Sequence, residues 1–81
     1  MESKELINEI LDRLQADVTK LGSNFYRIIY FNLTESIKKD GCFESEAIVN
    51  TEMGIYIFSY CLCETENGVT FCESENISIG W

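Results

Sequence analysis

The chain has 81 residues, of which 46% are hydrophobic, and fourteen acidic against six basic side chains give it a net charge of −8. A chain of this length forms a single domain with one core, and this hydrophobic content is too high for a disordered segment. Binding to nucleic acid or to an anionic membrane is disfavoured, because both require a basic patch. The longest apolar run covers only residues 28–31, far short of the roughly twenty residues that a transmembrane helix needs.

Charge is distributed unevenly along the chain. All six Lys and Arg residues precede Gly41, whereas residues 41–81 contain seven glutamates and no basic residue. A sheet built from this half presents a surface of one sign, which favours a basic protein partner.

The amino-terminal segment, residues 1–5, is acidic and leads directly into an amphipathic pattern. A signal peptide has a basic start and an uninterrupted apolar core instead. We therefore expect a complete cytoplasmic protein.

The four cysteines are interpreted from that expected location, because a reducing compartment keeps most thiols free. They are predicted to pack as small apolar residues, without a cofactor. A zinc site and a disulfide between Cys63 and Cys72 remain open, since strand geometry can bring Cys61, Cys63 and Cys72 to one face. The absence of histidine and of any Cys-x-x-Cys pair, with two residues between the cysteines, disfavours zinc.

A helix is predicted over residues 3–21. Apolar residues recur there at steps of three and four, and Gly22 supplies a stop signal. We expect the apolar stripe to cover one face of a sheet.

Four stretches rich in β-branched and aromatic residues follow, separated by turn signals such as Asp40-Gly41 and Asn67-Gly68. No connection is long enough for a crossover helix, so sequential antiparallel pairing is expected. The predicted fold is α+β, one N-terminal helix packed on a four-stranded antiparallel meander sheet. The strands are placed at residues 25–34, 42–50, 55–63 and 69–74, with a longer loop allowed after the first and continuation of the last to residue 79.

Asn67-Gly68 predicts a type I′ turn, which sets the pairing of the last two strands. In that register Glu66 pairs with Val69, and Cys63 lies opposite Cys72. Leu62 then lies opposite Glu73, and Tyr60 opposite Glu75. These pairings place aromatic side chains beside carboxylates on one face.

Residue size leaves open which sheet face meets the helix. One alternation contains the bulkier residues, including Phe58 and Leu62, but it also contains glutamates at positions 44, 46, 73 and 75. Either these glutamates fringe the helix-covered area, or the helix lies on the face of small residues and leaves an aromatic and acidic patch open. The candidate partner-binding residues are Glu44, Glu46, Phe58, Tyr60, Leu62, Glu64, Glu66, Glu73 and Glu75.

No enzymatic activity is predicted. The chain has no histidine, no nucleophile elbow, no phosphate-binding glycine loop and no cluster with metal-ligand spacing. The pairs Glu44/Glu46 and Glu73/Glu75 could act as acid and base only in a cleft, and are interpreted as surface residues.

A short, proline-free, acidic chain with one helix and a small meander resembles phage-encoded inhibitors of host defence, among them anti-CRISPR and DNA-mimicking anti-restriction proteins, and also toxin-neutralising immunity proteins. The resemblance implies that carboxylates on a rigid surface occupy a basic groove meant for nucleic acid, with a few aromatic anchors. The predicted function is therefore inhibition of a nucleic-acid-binding protein. Two alternatives are a homo-oligomer, such as a dimer that pairs through the fourth strand or residues 77–81, and a cysteine-based redox or zinc module.

Overall fold

The computed structural model describes the backbone of residues 3–80 and the side chains of residues 4–80. Helix α1 (Ser3–Lys20) is followed by strands β1 (Tyr26–Glu35), β2 (Cys42–Thr51), β3 (Gly54–Thr65) and β4 (Gly68–Gly80). The strands form one antiparallel sheet in the order β1-β2-β3-β4. The predicted α+β meander is confirmed, including the loop after β1 and the long form of β4.

Helix α1 packs on the sheet through one stripe of apolar side chains. Leu6, Ile10, Leu14 and Val18 are all buried, and their spacing of four residues places them on the same side of the helix. The helix ends at Lys20, one residue before the predicted end, and Gly22 follows with a φ of 95°. Within residues 3–80 no helix is both long and apolar enough to cross a membrane.

The core lies between α1 and one face of the sheet. Strand β3 contributes the large side chains Phe58, Tyr60 and Leu62, and β2 contributes the small Ala47 and Val49, all buried. Ala47 lies directly opposite Phe58, so small residues face large ones. Neither predicted set of alternating residues describes this face. The sequence grouped Phe58 and Leu62 of β3 with Glu44 and Glu46 of β2, whereas these glutamates lie on the opposite face of the sheet.

Two hairpins are closed by the same four-residue pattern, Thr-Glu-x-Gly. Thr51 pairs with Gly54, and Thr65 pairs with Gly68. Both glycines have positive φ, 117° and 115°, whereas no other residue type among residues 3–80 does. Asn67 is therefore not left-handed, and the type I′ prediction is wrong. A two-residue loop closed by a left-handed glycine is the G1-bulge arrangement instead.

The threonine of each turn fixes the loop by two hydrogen bonds. The Thr51 hydroxyl donates to the Gly54 carbonyl at 2.8 Å and accepts from the Met53 amide at 3.0 Å. In the second turn the Thr65 hydroxyl donates to the Gly68 carbonyl at 3.0 Å and accepts from the Asn67 amide at 3.3 Å. The repeated sequence therefore forms the same turn twice.

A bulge in β4 determines the face to which its glutamates point. Leu62 pairs with Phe71 and Cys61 pairs with Glu73, so Cys72 is the extra residue. Beyond it, Tyr60 pairs with Ser74, not with Glu75.

The predicted pairings of Glu66 with Val69, Cys63 with Cys72 and Leu62 with Glu73 are wrong because the observed turn sets Glu64 opposite Val69. The predicted pairing of Tyr60 with Glu75 is wrong because the bulge adds one residue to the register that this turn sets. A shift of one residue reverses the faces of a strand. Glu73 and Glu75 consequently lie on the face opposite to Phe58.

The connection between α1 and β1 is held by the β2–β3 turn. The Glu52 carboxylate accepts hydrogen bonds from the amides of Asn24, at 2.8 Å, and Phe25, at 3.1 Å. The buried Ser23 hydroxyl donates to the Phe25 carbonyl at 2.6 Å and accepts from the Glu52 amide at 3.1 Å. We call this contact the Glu52 clasp; it joins the end of the helix to the sheet.

Candidate protein-binding face and cysteine cluster

The sheet face that points away from α1, called the open face below, is organised in rows that cross the strands. Register places one apolar side chain of each strand in line, and next to this apolar row it places two rows that contain glutamates. The apolar row consists of Tyr30, Ile48, Ile57 and Ile77. The acidic rows consist of Asn32, Glu46, Ser59 and Glu75, and of Thr34, Glu44, Cys61 and Glu73.

The acidic rows border a cavity of about 610 Å³ that is lined by residues of all four strands. Among the described residues, four glutamates belong to its lining and no Lys or Arg does. Ser59 lies between Glu46 and Glu75, and Cys61 lies between Glu44 and Glu73. Because β3 separates them, the backbones of the two glutamate-bearing strands are about 10 Å apart. The carboxylates thus surround a space that suits cationic side chains.

The predicted site residues fall into three groups. Glu44, Glu46, Glu73 and Glu75 are brought together, as expected, and line the same cavity. The side chains of Phe58, Tyr60 and Leu62 pack under α1 with exposures of 0%, 3% and 0%, so the prediction that they are partner-binding anchors beside the glutamates is wrong. Glu64 and Glu66 lie at the β3–β4 turn, outside the lining of the cavity.

Tyr60 belongs to a network that joins α1 to the sheet. Its hydroxyl donates to the Asp17 carboxylate at 2.7 Å, and Arg13 approaches the same carboxylate at 3.4 Å. Arg13 also donates to the Ser74 hydroxyl at 3.1 Å, and its guanidinium lies 5.0 Å from the centre of the Phe71 ring. Burial raises the pKa of Tyr60 far above its ordinary value, and the hydrogen bond and charge of Asp17 raise it further. Tyr60 is therefore a neutral structural residue.

The apolar row was missed by reasoning from the sequence. Tyr30 and Ile77 are exposed by 47% and 53%, although both lie within strands of the sheet. Tyr30 lies opposite Ile48 and Ile77 lies opposite Ile57, which closes the row across the whole sheet. The signal that could have found it is the repeated Thr-Glu-x-Gly turn, because that turn fixes the phase of β2 against β3.

The four cysteines lie near one end of the open face, and we call them the cysteine cluster. Cys42 and Cys63 lie directly opposite each other on β2 and β3 and form a disulfide. The expectation of four free thiols is therefore wrong for this pair. The bond also differs from the Cys63–Cys72 alternative, although the Cys72 sulfur lies 2.9 Å from that of Cys63.

The remaining cysteines, Cys61 and Cys72, are free. The sulfur atoms of Cys42, Cys63 and Cys72 lie within 4.8 Å of one another, so the three could hold a soft metal ion only after the disulfide is reduced. This set differs from the predicted zinc set, which contained Cys61 in place of Cys42. Burial raises the pKa of the Cys61 thiol, and Cys72 and Glu73 act in the same direction.

Comparison of the chain with models of known protein families, with curated proteins and with solved structures gave no significant match. The resemblance to phage-encoded inhibitors and immunity proteins therefore stays a prediction from layout.

Proposed function

We propose that the protein is a small acidic inhibitor that binds a basic, nucleic-acid-binding surface of another protein, such as a host-defence nuclease complex or a toxin. The observation that supports this proposal is the cavity of about 610 Å³, whose lining within residues 4–80 contains four glutamates and no basic side chain. Lys and Arg side chains of a partner neutralise this surface, and its field increases the rate of encounter.

The apolar row supplies the second part of the binding surface. It lies beside the acidic rows on the same face, and Tyr30 and Ile77 are about half exposed. Interfaces obtain most of their affinity from a few buried aromatic or apolar anchors, surrounded by polar contacts. We therefore assign to Tyr30 the role of aromatic anchor that the sequence predicted for Tyr60.

Burial of the four glutamates against an apolar partner would cost free energy, because each would lose its hydration without gaining a hydrogen bond. A cationic partner offsets that cost. Nucleic acid itself is repelled by the same charges, which is why a protein that binds nucleic acid, and not the nucleic acid, is the proposed target. We place the interaction in the cytoplasm.

The test uses two peptides of alternating sequence, one of Lys and Leu and one of Glu and Leu. The protein should bind only the basic peptide, and more tightly at 10 mM than at 300 mM salt, since the Debye length falls with ionic strength. The double variant Glu73→Lys and Glu75→Lys should lower the association rate at low salt at least about tenfold. Truncation of Tyr30 to Ala should mainly increase the dissociation rate.

The matched control reverses two exposed acidic residues of α1, Glu9→Lys and Asp12→Lys, and changes the net charge by the same amount. If this control slows association as much as the β4 variant does, net charge alone explains the binding and the open face is not the site. Proteins captured from a host lysate should be released by double-stranded DNA, which competes for their basic groove.

A homo-oligomer that pairs through β4 is a second candidate, favoured by a specific observation. Strand β4 is at the edge of the sheet, and Ile77 and Ile79 are 53% and 51% exposed. An exposed strand edge can pair with a second copy. Sedimentation over a hundredfold range of concentration distinguishes this candidate from a monomeric inhibitor; Trp81, also expected in that contact, lies outside the described residues.

A further inference from the structure

We propose that Cys42, Cys63 and Cys72 form an intramolecular thiol–disulfide exchange site, in which Cys72 attacks Cys63 and moves the disulfide from β2–β3 to β3–β4. This inference is independent of the proposed inhibitor function. It assigns a chemical role to the cysteine cluster, which the acidic and apolar rows leave unused.

The proposal is based on the two sulfur neighbours of the Cys63 sulfur. It is bonded to Cys42, and the free thiol of Cys72 lies 2.9 Å away. All three sulfur atoms lie within 4.8 Å of one another. Exchange requires an attacking thiolate in contact with one sulfur of a disulfide, and this contact exists before any strand moves.

The backbone explains why a third cysteine reaches this disulfide. Cys72 is the extra residue of the β4 bulge, opposite the step between Cys61 and Leu62. A bulge changes the direction in which a side chain points, so it can bring Cys72 to a cross-strand pair that belongs to two other strands. Cys72 is exposed whereas Cys42 is buried, so exchange also moves the free thiol from the surface to the interior.

The step is balanced without an oxidant. Cys72 releases its proton, and its sulfur lone pair forms a bond to the Cys63 sulfur. The Cys42–Cys63 bond breaks, its electron pair stays on the Cys42 sulfur, and that thiolate takes up a proton. One disulfide and one thiol are present before and after the step, so no electrons enter or leave the protein.

Cys61 is disfavoured as the attacking thiol. Burial raises the pKa of the Cys61 thiol, and Cys72 and Glu73 act in the same direction, which lowers the fraction of thiolate that can attack a disulfide. Cys61 and Cys63 also belong to the same strand, two residues apart, where a bond between them would distort the backbone. The pair Cys61 and Cys63 is therefore a suitable control.

The exchange has a consequence for the cell. In a reducing compartment a persistent disulfide is rare, and those that occur are transient or act as redox sensors. Because Cys42 is buried and Cys72 is exposed, a cellular thiol can reach the disulfide more easily once it includes Cys72. After exchange, the bond joins β3 to the residue that precedes Glu73, next to an acidic row.

The experiment compares two variants that each retain two cysteines. Cys42→Ser with Cys61→Ser leaves Cys63 and Cys72, whereas Cys42→Ser with Cys72→Ser leaves Cys61 and Cys63. Both are equilibrated with reduced and oxidised glutathione, quenched with acid and analysed by mass spectrometry. The first should close an intramolecular disulfide with an equilibrium constant at least about a hundredfold larger than the second. Glutathione adducts on both Cys63 and Cys72 in the first variant would overturn the proposal.

A second measurement serves if the variants do not fold, as judged by circular dichroism. The unaltered protein is incubated at pH 8, quenched with acid, digested and mapped. Peptides that contain a Cys63–Cys72 disulfide beside Cys42–Cys63 support the exchange. A map that contains only Cys42–Cys63 after prolonged incubation overturns it.

Discussion

Tyr60 and Asp17 are joined by a hydrogen bond of 2.7 Å, donated by the phenol to the carboxylate, between the centre of β3 and the last turn of α1. Arg13 approaches the same carboxylate at 3.4 Å and also donates a hydrogen bond to the Ser74 hydroxyl on β4. The helix is therefore attached to the sheet by this polar network in addition to its apolar stripe and the Glu52 clasp.

Replacement of Tyr60 by Phe should lower the free energy of unfolding by about 1–2 kcal/mol, because the hydrogen bond to a partly buried carboxylate is lost while the ring stays. Urea denaturation at pH 7 measures this change. The variant should still bind the basic peptide, since its ring lies under α1. A loss of binding with unchanged stability would contradict the assignment of Tyr60 to the core.

The same contact predicts how stability depends on alkaline pH. The folded protein holds the pKa of Tyr60 above its ordinary value of about 10, which the unfolded chain retains. Above pH 10 the unfolded state therefore binds fewer protons than the folded state. The contribution of Tyr60 is full below pH 10 and decreases above it by about 1.4 kcal/mol per pH unit. The difference in unfolding free energy between the parent protein and Tyr60→Phe should shrink from pH 9 to pH 11.

Two substitutions in the β3–β4 turn distinguish the observed turn from type I′. Gly68 has a φ of 115°, so Gly68→Val should cost on the order of 1 kcal/mol or more. Asn67 has negative φ, so Asn67→Ala should change stability by less than about 0.5 kcal/mol. Thermal unfolding of both variants is the measurement. Equal losses would indicate that both residues are left-handed, as in type I′.

The Glu52 clasp predicts a specific loss. Glu52→Ala leaves the amides of Asn24 and Phe25 without their shared acceptor and should lower the free energy of unfolding by about 1–2 kcal/mol. Glu52→Gln keeps an acceptor oxygen and should lose less. The matched control is Glu66→Ala, at the equivalent position of the second Thr-Glu-x-Gly turn, which should be nearly neutral. Similar losses of unfolding free energy at both positions would show that the glutamate stabilises the turn itself and that the Glu52 clasp contributes nothing.

The acidic rows should reduce the stability of the free protein. Glutamates 44, 46, 73 and 75 repel one another across and along the strands, so Glu73→Gln should stabilise the fold by a few tenths of a kcal/mol at 10 mM salt. The gain should disappear at high salt, where charges are screened. Glu9→Gln on α1 serves as the control and should show no such gain. Urea denaturation at two salt concentrations is sufficient.

The helix and the order of the strands could be predicted because their signals are local. A four-residue apolar spacing and a glycine define α1, and each hairpin has its own turn sequence. The phase of the strands could not be predicted in the same way, since Asn67-Gly68 fits two turn types that differ in register. The bulge at Cys72 has no clear sequence signal, and it determines which face contains Glu73 and Glu75.

The cysteine pairing depends on the same register. Cys42 and Cys63 are 21 residues apart in sequence and become neighbours only when β2 and β3 pair with Thr51 opposite Gly54. The sequence predicts Cys63 opposite Cys72 because it assumes a type I′ turn at Asn67-Gly68, whereas the observed turn sets Cys63 opposite Thr70. The glutamates that line the cavity could be named from the sequence, but Phe58, Tyr60 and Leu62 were wrongly placed beside them because the predicted phase of β3 against its neighbours was wrong.

The bulge makes Cys72 an insertion between two regular stretches of β4, residues 68–71 and 73–78. Phe71 faces α1 and Glu73 faces outward, which is the alternation that two adjacent residues would have without Cys72. A chain shortened by this one residue would therefore keep each glutamate in its row and each core residue under the helix. Charge pattern and sulfur chemistry are thus separable by a deletion, and the two can be gained or lost independently as related sequences diverge.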